Sequence, residues 1–131
     1  MKRLIIDLDD TLTLPAPDGE ARDSHANARP NLALIARLHD YRAAGFDIVI
    51  HTSRNMRTFE GNIGKINVHT LPVILAWLER HAVPFDEILV GKPWCGLDGF
   101  YVDDRAVRPS EFLRHPLPAI HALLAAERTE G

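Results

Sequence analysis

The sequence predicts an α/β fold: a parallel sheet of short aliphatic strands with helices on both faces, three layers in all. Three observations carry that expectation. The candidate strands are continuously apolar rather than alternating, as in Leu4-Ile5-Ile6 and Ile48-Val49-Ile50, the pattern of strands buried on both faces. The stretches between them place apolar residues at helical spacing. Each strand also stops at polar residues, which is where open α/β sheets offer the carboxyl ends of their strands to ligands.

Taken in order, Arg3 to Leu8 reads as a first buried strand ending in the acidic group Asp7, Asp9 and Asp10. A loop follows over Thr13 to Arg29, marked by Pro15, Pro17 and Gly19. Pro30 is expected to open a helix whose apolar face is Leu34, Ile35, Leu38 and Tyr41, with Gly45 as its stop. Phe46 to Ile50 is a second strand, ending at His51-Thr52-Ser53-Arg54. Residues 55–69 show no clean period, carry Gly61 and Gly64, and read as a loop with at most a short turn of helix. Thr70 is expected to cap a helix with Pro72 in its first turn and Val73, Ile74, Leu75, Trp77 and Leu78 along it. Glu87 to Val90 is a third strand stopped by Gly91-Lys92-Pro93. Phe100-Tyr101-Val102 is a fourth, stopped by Asp103-Asp104, and Pro118 to Ala126 is a terminal helix.

The 131 residues are expected to form one domain over 1–131. Hydrophobic residues at 46% and charged residues at 25% exclude a disordered or rod-like chain. The net charge of −3 argues against a dedicated nucleic-acid binder. One cysteine, Cys95, excludes an internal disulfide framework and a cysteine-built zinc site, so a reducing cytoplasm is expected. The first apolar run is broken at once by Asp7, short of the roughly 7–15 residues of a signal peptide and the about 20 of a membrane span. No membrane insertion is expected.

The strand ends bring Asp7, Asp9 and Thr11, then Thr52, Ser53 and Arg54, then Lys92, then Asp103 and Asp104 to one crevice. Carboxylates gathered this closely repel unless a cation sits among them, and carboxylate oxygens suit a hard ion such as magnesium. With Lys92 and Arg54 adding positive charge, the crevice becomes a pocket for a phosphate group. Each residue also has a plainer reading. Aspartates favour turns, Asp104 could cap a helix or pair with Arg105, and Arg54 and Arg57 could be surface charges. His51 reads as a satisfied polar residue. His25, His39, His81, His115 and His121 show no pair at metal-ligand spacing. Glu60 to Lys65 lacks the full pattern of a phosphate loop.

Asp7-Leu8-Asp9-Asp10-Thr11 resembles motif I of the haloacid dehalogenase (HAD) superfamily, Asp-x-Asp-x-Thr/Ser. Thr52 at a strand end resembles motif II, Lys92 in Gly-Lys-Pro motif III, and Asp103-Asp104 motif IV. All four stand in that order, over residues 3 to about 115. The stretches TSRNMRTFEGNIGKINVHTLP, EILVGKPWCGLDGFYVDD and RPSEF resemble bacterial capsule-polysaccharide-biosynthesis phosphatases of that superfamily. The resemblance implies a Rossmann-like, HAD-like domain and a magnesium-dependent phosphomonoesterase acting on a small phosphorylated sugar or polyol. It implies Asp7 as nucleophile and metal ligand, Asp9 as general acid/base with its carbonyl on the metal, Thr52 and Lys92 on the phosphoryl group, and Asp103 with Asp104 at the metal. Neither 13–29 nor 93–99 is long enough for the cap domain most members carry. The open site implies a large substrate or a homo-oligomer in which a neighbouring subunit closes it.

Residues 55–69 follow motif II and offer side-chain donors, so Ser53, Arg54, Asn55, Arg57, Lys65 and His69 are candidate substrate contacts. Other classes remain: a phosphatase or phosphotransferase acting on a macromolecule, and a non-catalytic scaffold. A signalling receiver domain is disfavoured, because it places its acidic pair first and its phosphorylated aspartate on a later strand.

Overall fold

A computed structural model of the chain describes residues 1–16 and 25–130, so residues 17–24 of the loop expected over 13–29 lie outside the described residues. The chain divides into two compact units, Met1–Trp94 and Cys95–Gly131. The first is α/β. Strands β1 (Arg3–Ile6), β2 (Asp47–His51) and β3 (Glu87–Leu89) form a three-stranded parallel sheet in the order β1-β2-β3. Leu4 pairs with Ile48, and Ile50 pairs with both Ile6 and Ile88. The central strand is the heart of the core: Ile48, Val49 and Ile50 are fully buried.

Helix α1 (Leu32–Ala43) runs from β1 to β2 and packs on β2. Its buried face is Leu34, Ile35, Leu38 and Tyr41, as the spacing requires. The cap is Asn31 rather than Pro30: the Asn31 side chain accepts from the Leu34 amide, and Pro30 bridges to Thr13 instead. Asparagine holds that place because its side-chain oxygen satisfies an amide the first turn leaves open. Gly45 ends the helix at φ +94°. The Phe46 amide reaches the Tyr41 carbonyl and the Gly45 amide reaches that of Arg42, while the Phe46 and Tyr41 rings meet edge to face at 5.1 Å. That is a Schellman stop with its apolar contact.

The stretch expected as a loop over 55–69 ends in a helix, α2 (Ile63–His69). Asn62 caps it by accepting from the Lys65 amide, and buried Ile66 anchors it, so the two glycines do not prevent it. Helix α3 (Leu71–Arg80) follows directly, with Pro72 in its first turn and Ile74, Trp77 and Leu78 buried. Thr70 does not cap α3 with its side chain: its backbone is itself helical, and its hydroxyl donates to Asn55 Oδ1 at 2.7 Å. The short 3-10 turn His25–Asn27 packs on α3, where Trp77 Nε1 donates to the Ala28 carbonyl.

The second unit holds α4 (Pro109–Arg114) and α5 (Leu117–Glu130), with Phe112 and Ile120 buried. Helix α4 was not expected. Pro109 occupies its first turn, and Glu111 Oε1 accepts from the Arg108 amide. The expected fourth strand is a correction. Among the described residues Phe100 to Val102 pairs with no strand, and Phe100 and Val102 are 79% and 89% exposed. Their side chains carry strand propensity, but without a paired edge or a covered face that preference has nothing to act on. No described helix is long and apolar enough to cross a membrane.

Candidate active site

The site is built on the turn after β1. The Leu8 carbonyl accepts from the amides of Thr11, Leu12 and Thr13, with Leu8 and Leu12 fully buried beneath it. Asp10 sits in the left-handed region at φ +60°, a conformation aspartate tolerates better than most residues, and its amide donates to Thr13 Oγ1. This tight hook leaves Asp7 at the strand end and Asp9 on the turn. Asn31 clamps it from α1: its Nδ2 donates to the Thr11 carbonyl and its amide to the Leu12 carbonyl. One side chain thereby caps a helix and fixes the acidic turn.

Asp7 Oδ1 lies 3.7 Å from Lys92 Nζ, and Oδ2 accepts from the Thr11 hydroxyl at 3.4 Å. Burial pushes the Asp7 carboxyl above the usual carboxylate range, and Asp9 adds to the rise; Lys92, the Leu8 amide and Thr11 pull it back. A half-buried carboxylate of this kind is poorly solvated, which favours nucleophilic use. His51, at the end of β2, feels the same charges. Burial and Lys92 hold its imidazole below the usual value, against the pull of Asp7.

Lys92 and Thr52 are joined through the backbone. The Thr52 amide donates to the Leu89 carbonyl and the Lys92 amide to the Thr52 carbonyl, extending the β2–β3 pairing past both strands. Gly91 makes this approach feasible: it adopts φ +86°, and a Cβ there would lie 2.6 Å from Ile63 Cδ1. Thr52 is buried, and its Oγ1 accepts from the Arg54 amide, which leaves the hydroxyl proton to donate.

Arg54 is where the structure departs most from a surface charge. Its side chain is 2% exposed and grips Asp9 in a fork: Nε donates to Oδ2 at 3.1 Å and Nη2 to Oδ1 at 2.8 Å. His25 Nδ1 stands 3.7 Å from the same Oδ1. With the fork closed, both Asp9 oxygens are engaged as acceptors.

The structure thus brings together Asp7, Asp9, Thr52, Arg54 and Lys92 in the first unit. Ser53 is half-buried beside them, with its carbonyl accepting the Met56 amide. Asn55, at φ +61°, and His69, which stacks on Phe59, line a cavity together with Arg54. Arg57 and Lys65 are exposed, and no side-chain bond ties either to this cluster. Asp103 and Asp104 belong to the second unit, where both are exposed and Asp103 Oδ1 accepts from the Arg105 amide at 2.8 Å. Among the described residues no three His, Cys, Asp or Glu side chains are gathered to hold a metal ion. Asn31, His25 and Thr70 are the participants that sequence reasoning missed. Asn31 alone carried a signal, an asparagine just before an apolar helical period.

No family model matches the chain, and no curated protein is significantly similar to it. A solved structure is: the crystal structure of an MCSG target from Vibrio cholerae has 58% sequence identity to this chain, covers 97% of it and 99% of its own length, and superposes with a TM-score of 0.90. Identity at that level over nearly the whole of both chains places them together, and the chain belongs to the same family as that Vibrio cholerae protein.

Proposed function

We propose that this protein is a HAD-type phosphomonoesterase that works through an aspartyl-phosphate on Asp7. One observation carries the reading: a partly desolvated Asp7 carboxylate lies 3.7 Å from Lys92 at the carboxyl ends of parallel strands, with buried Thr52 bonded to the Lys92 amide. That arrangement pairs a nucleophile with the cation and hydroxyl donor that a phosphoryl group needs beside it.

In the proposed reaction an Asp7 oxygen attacks phosphorus and the bond to the alcohol oxygen breaks. Asp9 gives its proton to that departing oxygen. Asp9 then takes a proton from a water that attacks the same phosphorus, and the Asp7–phosphorus bond breaks, releasing phosphate. Lys92 Nζ and the Thr52 hydroxyl donate to the phosphoryl oxygens throughout. Asp9 can carry a proton only after giving up at least one of its two bonds to Arg54. Arg54 is thereby a positioning residue whose fork opens as the substrate arrives.

The Asp9 carboxylate is held by Arg54, so what the first unit offers a metal is the Asp7 carboxylate and the Asp9 backbone carbonyl. Magnesium is therefore proposed on donor chemistry alone, since carboxylate oxygens suit a hard cation. When bound it supplies positive charge to the phosphoryl oxygens. Asp103 and Asp104 stay candidate ligands on the strength of their motif. The resemblance in sequence extends the proposal to a cytoplasmic enzyme of capsule or surface polysaccharide biosynthesis, acting on a sugar or polyol phosphate, with a homo-oligomer covering the open site.

The test is phosphate release from a panel of sugar, polyol and amino-alcohol monophosphates, with magnesium and then with EDTA. Release from a few small members, lost with EDTA, is the expected result. No release from any member under either condition contradicts the small-molecule reading.

A further inference from the structure

Two places in the chain hold strand-forming residues that the sheet does not use. Among the described residues β1 is an edge of the sheet, apolar through Leu4-Ile5-Ile6. Ile5 is 58% exposed there, on the same face as Leu89, which is 46% exposed. A bare apolar edge strand is something folded proteins cover. In the second unit Phe100 and Val102 are exposed within a run of strand propensity. That unit is also shorter than about 40 residues, a size at which a core rarely stands without a partner. Each place has what the other lacks.

The connection is too short to join them within one molecule. A parallel crossover takes about a dozen residues or more, usually a helix. Only residues 90–99 separate Leu89, the end of β3, from Phe100, and they hold no helix. The Lys92 amide is pinned to the Thr52 carbonyl, and Gly99 folds so closely onto the Cys95 carbonyl that a Cβ there would collide with it. Outside that turn the chain from Lys92 to Phe100 has four Cα steps left, about 14 Å when extended. To lie on the free edge of its own β1, the run would cross three strand spacings, about 14 Å, and come back the length of a strand, about 13 Å. The diagonal is about 19 Å, and the path must also clear the side chains of the sheet.

We infer that a second copy of this chain supplies the missing strand: Phe100–Val102 of one protomer adds in parallel to the free edge of β1 in the other, and the exchange is mutual about a two-fold axis. Strand polarity then places the acids. Asp103 follows Val102 as Asp7 follows Ile6, so levelling the two runs sets the second copy's Asp103 and Asp104 beside Asp7, and its Tyr101 opposite Ile5. The inference rests on the phosphatase reading and names its partner. Each site is complete only in the dimer, with Asp7, Thr52 and Lys92 from one copy and Asp103 and Asp104 from the other.

Two measurements test this, and the first needs no catalysis. Wild-type protein is expected to sediment as a dimer at micromolar concentration. Ile5→Cys and Tyr101→Cys are combined in a Cys95→Ser background, and the full chain is treated with a short bismaleimide, which spans neighbouring strands. A covalent dimer on a denaturing gel, absent when either new cysteine stands alone, is the expected result. A wild-type monomer overturns the inference. So does an internally cross-linked single chain, which means that the run closes on its own β1, and so does the absence of any cross-link. None of these outcomes depends on whether an ester is hydrolysed.

The second measurement is complementation between inactive chains. Asp7→Asn and Asp103→Asn are each expected to be inactive alone. Coexpressed, they are expected to recover about a quarter of wild-type phosphate release, since random pairing joins an intact Asp7 to an intact Asp103 at one site in four. A site built within one chain recovers nothing from this pair. No recovery, with wild-type protein active under the same conditions, overturns the exchange while leaving the phosphatase standing.

Discussion

The fork between Arg54 and Asp9 makes a quantitative prediction. Two charge-assisted bonds, at 3.1 and 2.8 Å, join the pair. At about 1.5–3 kcal/mol for each such bond, the two together have an upper bound of about 3–6 kcal/mol. Arg54 is 2% exposed and cannot be rehydrated in place, but Asp9 is 28% exposed, so water recovers part of what it loses. That exposure brings the expected coupling down to about 2–3 kcal/mol. The perturbation is a double-mutant cycle of Arg54→Met, Asp9→Ala and the double variant, read by urea unfolding. Arg54→Met alone is expected to lower stability by about 3 kcal/mol, a midpoint shift of about 1–3 M at ordinary urea slopes. The same change made on Asp9→Ala should cost far less. Arg54→Lys should recover under half of the loss, since a point ammonium cannot serve both carboxylate oxygens in plane. Single-variant effects that add to within about 0.5 kcal/mol would refute the reasoning, for they would mean that Arg54 is held by its packing and not by Asp9.

Three further outcomes follow from the same geometry. Asn31→Ala removes the α1 cap and the bond to the Thr11 carbonyl, and should lower stability by about 1–3 kcal/mol by urea unfolding while lowering kcat; Asn31→Asp, which keeps the cap but not the Nδ2 donor, should recover only part. Gly91→Ala forces a side chain into a left-handed residue and against Ile63, and should lower stability by about 1–2 kcal/mol and raise KM by displacing Lys92; Ile63→Ala should relieve the contact but not the strain at φ +86°. Asp7→Asn should raise stability. The folded pKa of Asp7 lies above its unfolded value because of burial, so the native state holds the proton longer, and stability falls as pH rises from the ordinary carboxylate range through the raised value. Asparagine removes that loss, so the variant should melt higher than wild type at neutral pH; equal or lower melting would show that Lys92 outweighs burial.

What was legible in the sequence follows the physics of each signal. Continuous aliphatic runs are read directly as strands buried on both faces, and all three of those strands form. Phe100 to Val102 looked the same on paper, yet a strand is a relation between two segments, and the run itself does not say whether a partner edge is there. Helix α2 was hidden by Gly61 and Gly64, while the capping asparagine that starts it carries a weaker local signal than two glycines. Asp7, Thr52 and Lys92 were legible because strand ends converge by topology. The partnership of Arg54 with Asp9 was not, because it joins side chains 45 positions apart and depends on rotamers that no local pattern encodes. The same holds for His25, which reads as one scattered histidine among several until the fold sets it beside Asp9.

The central claim is that Asp7 carries the phosphoryl group. The measurement that bears on it most directly is the rate of phosphate release by Asp7→Asn beside wild type, each shown to be folded, on whichever monophosphate the wild type hydrolyses fastest in magnesium. The account predicts that the variant releases no phosphate while its unfolding transition is retained. Release by Asp7→Asn at the wild-type rate would contradict it, because asparagine cannot form the aspartyl-phosphate on which the proposed reaction depends.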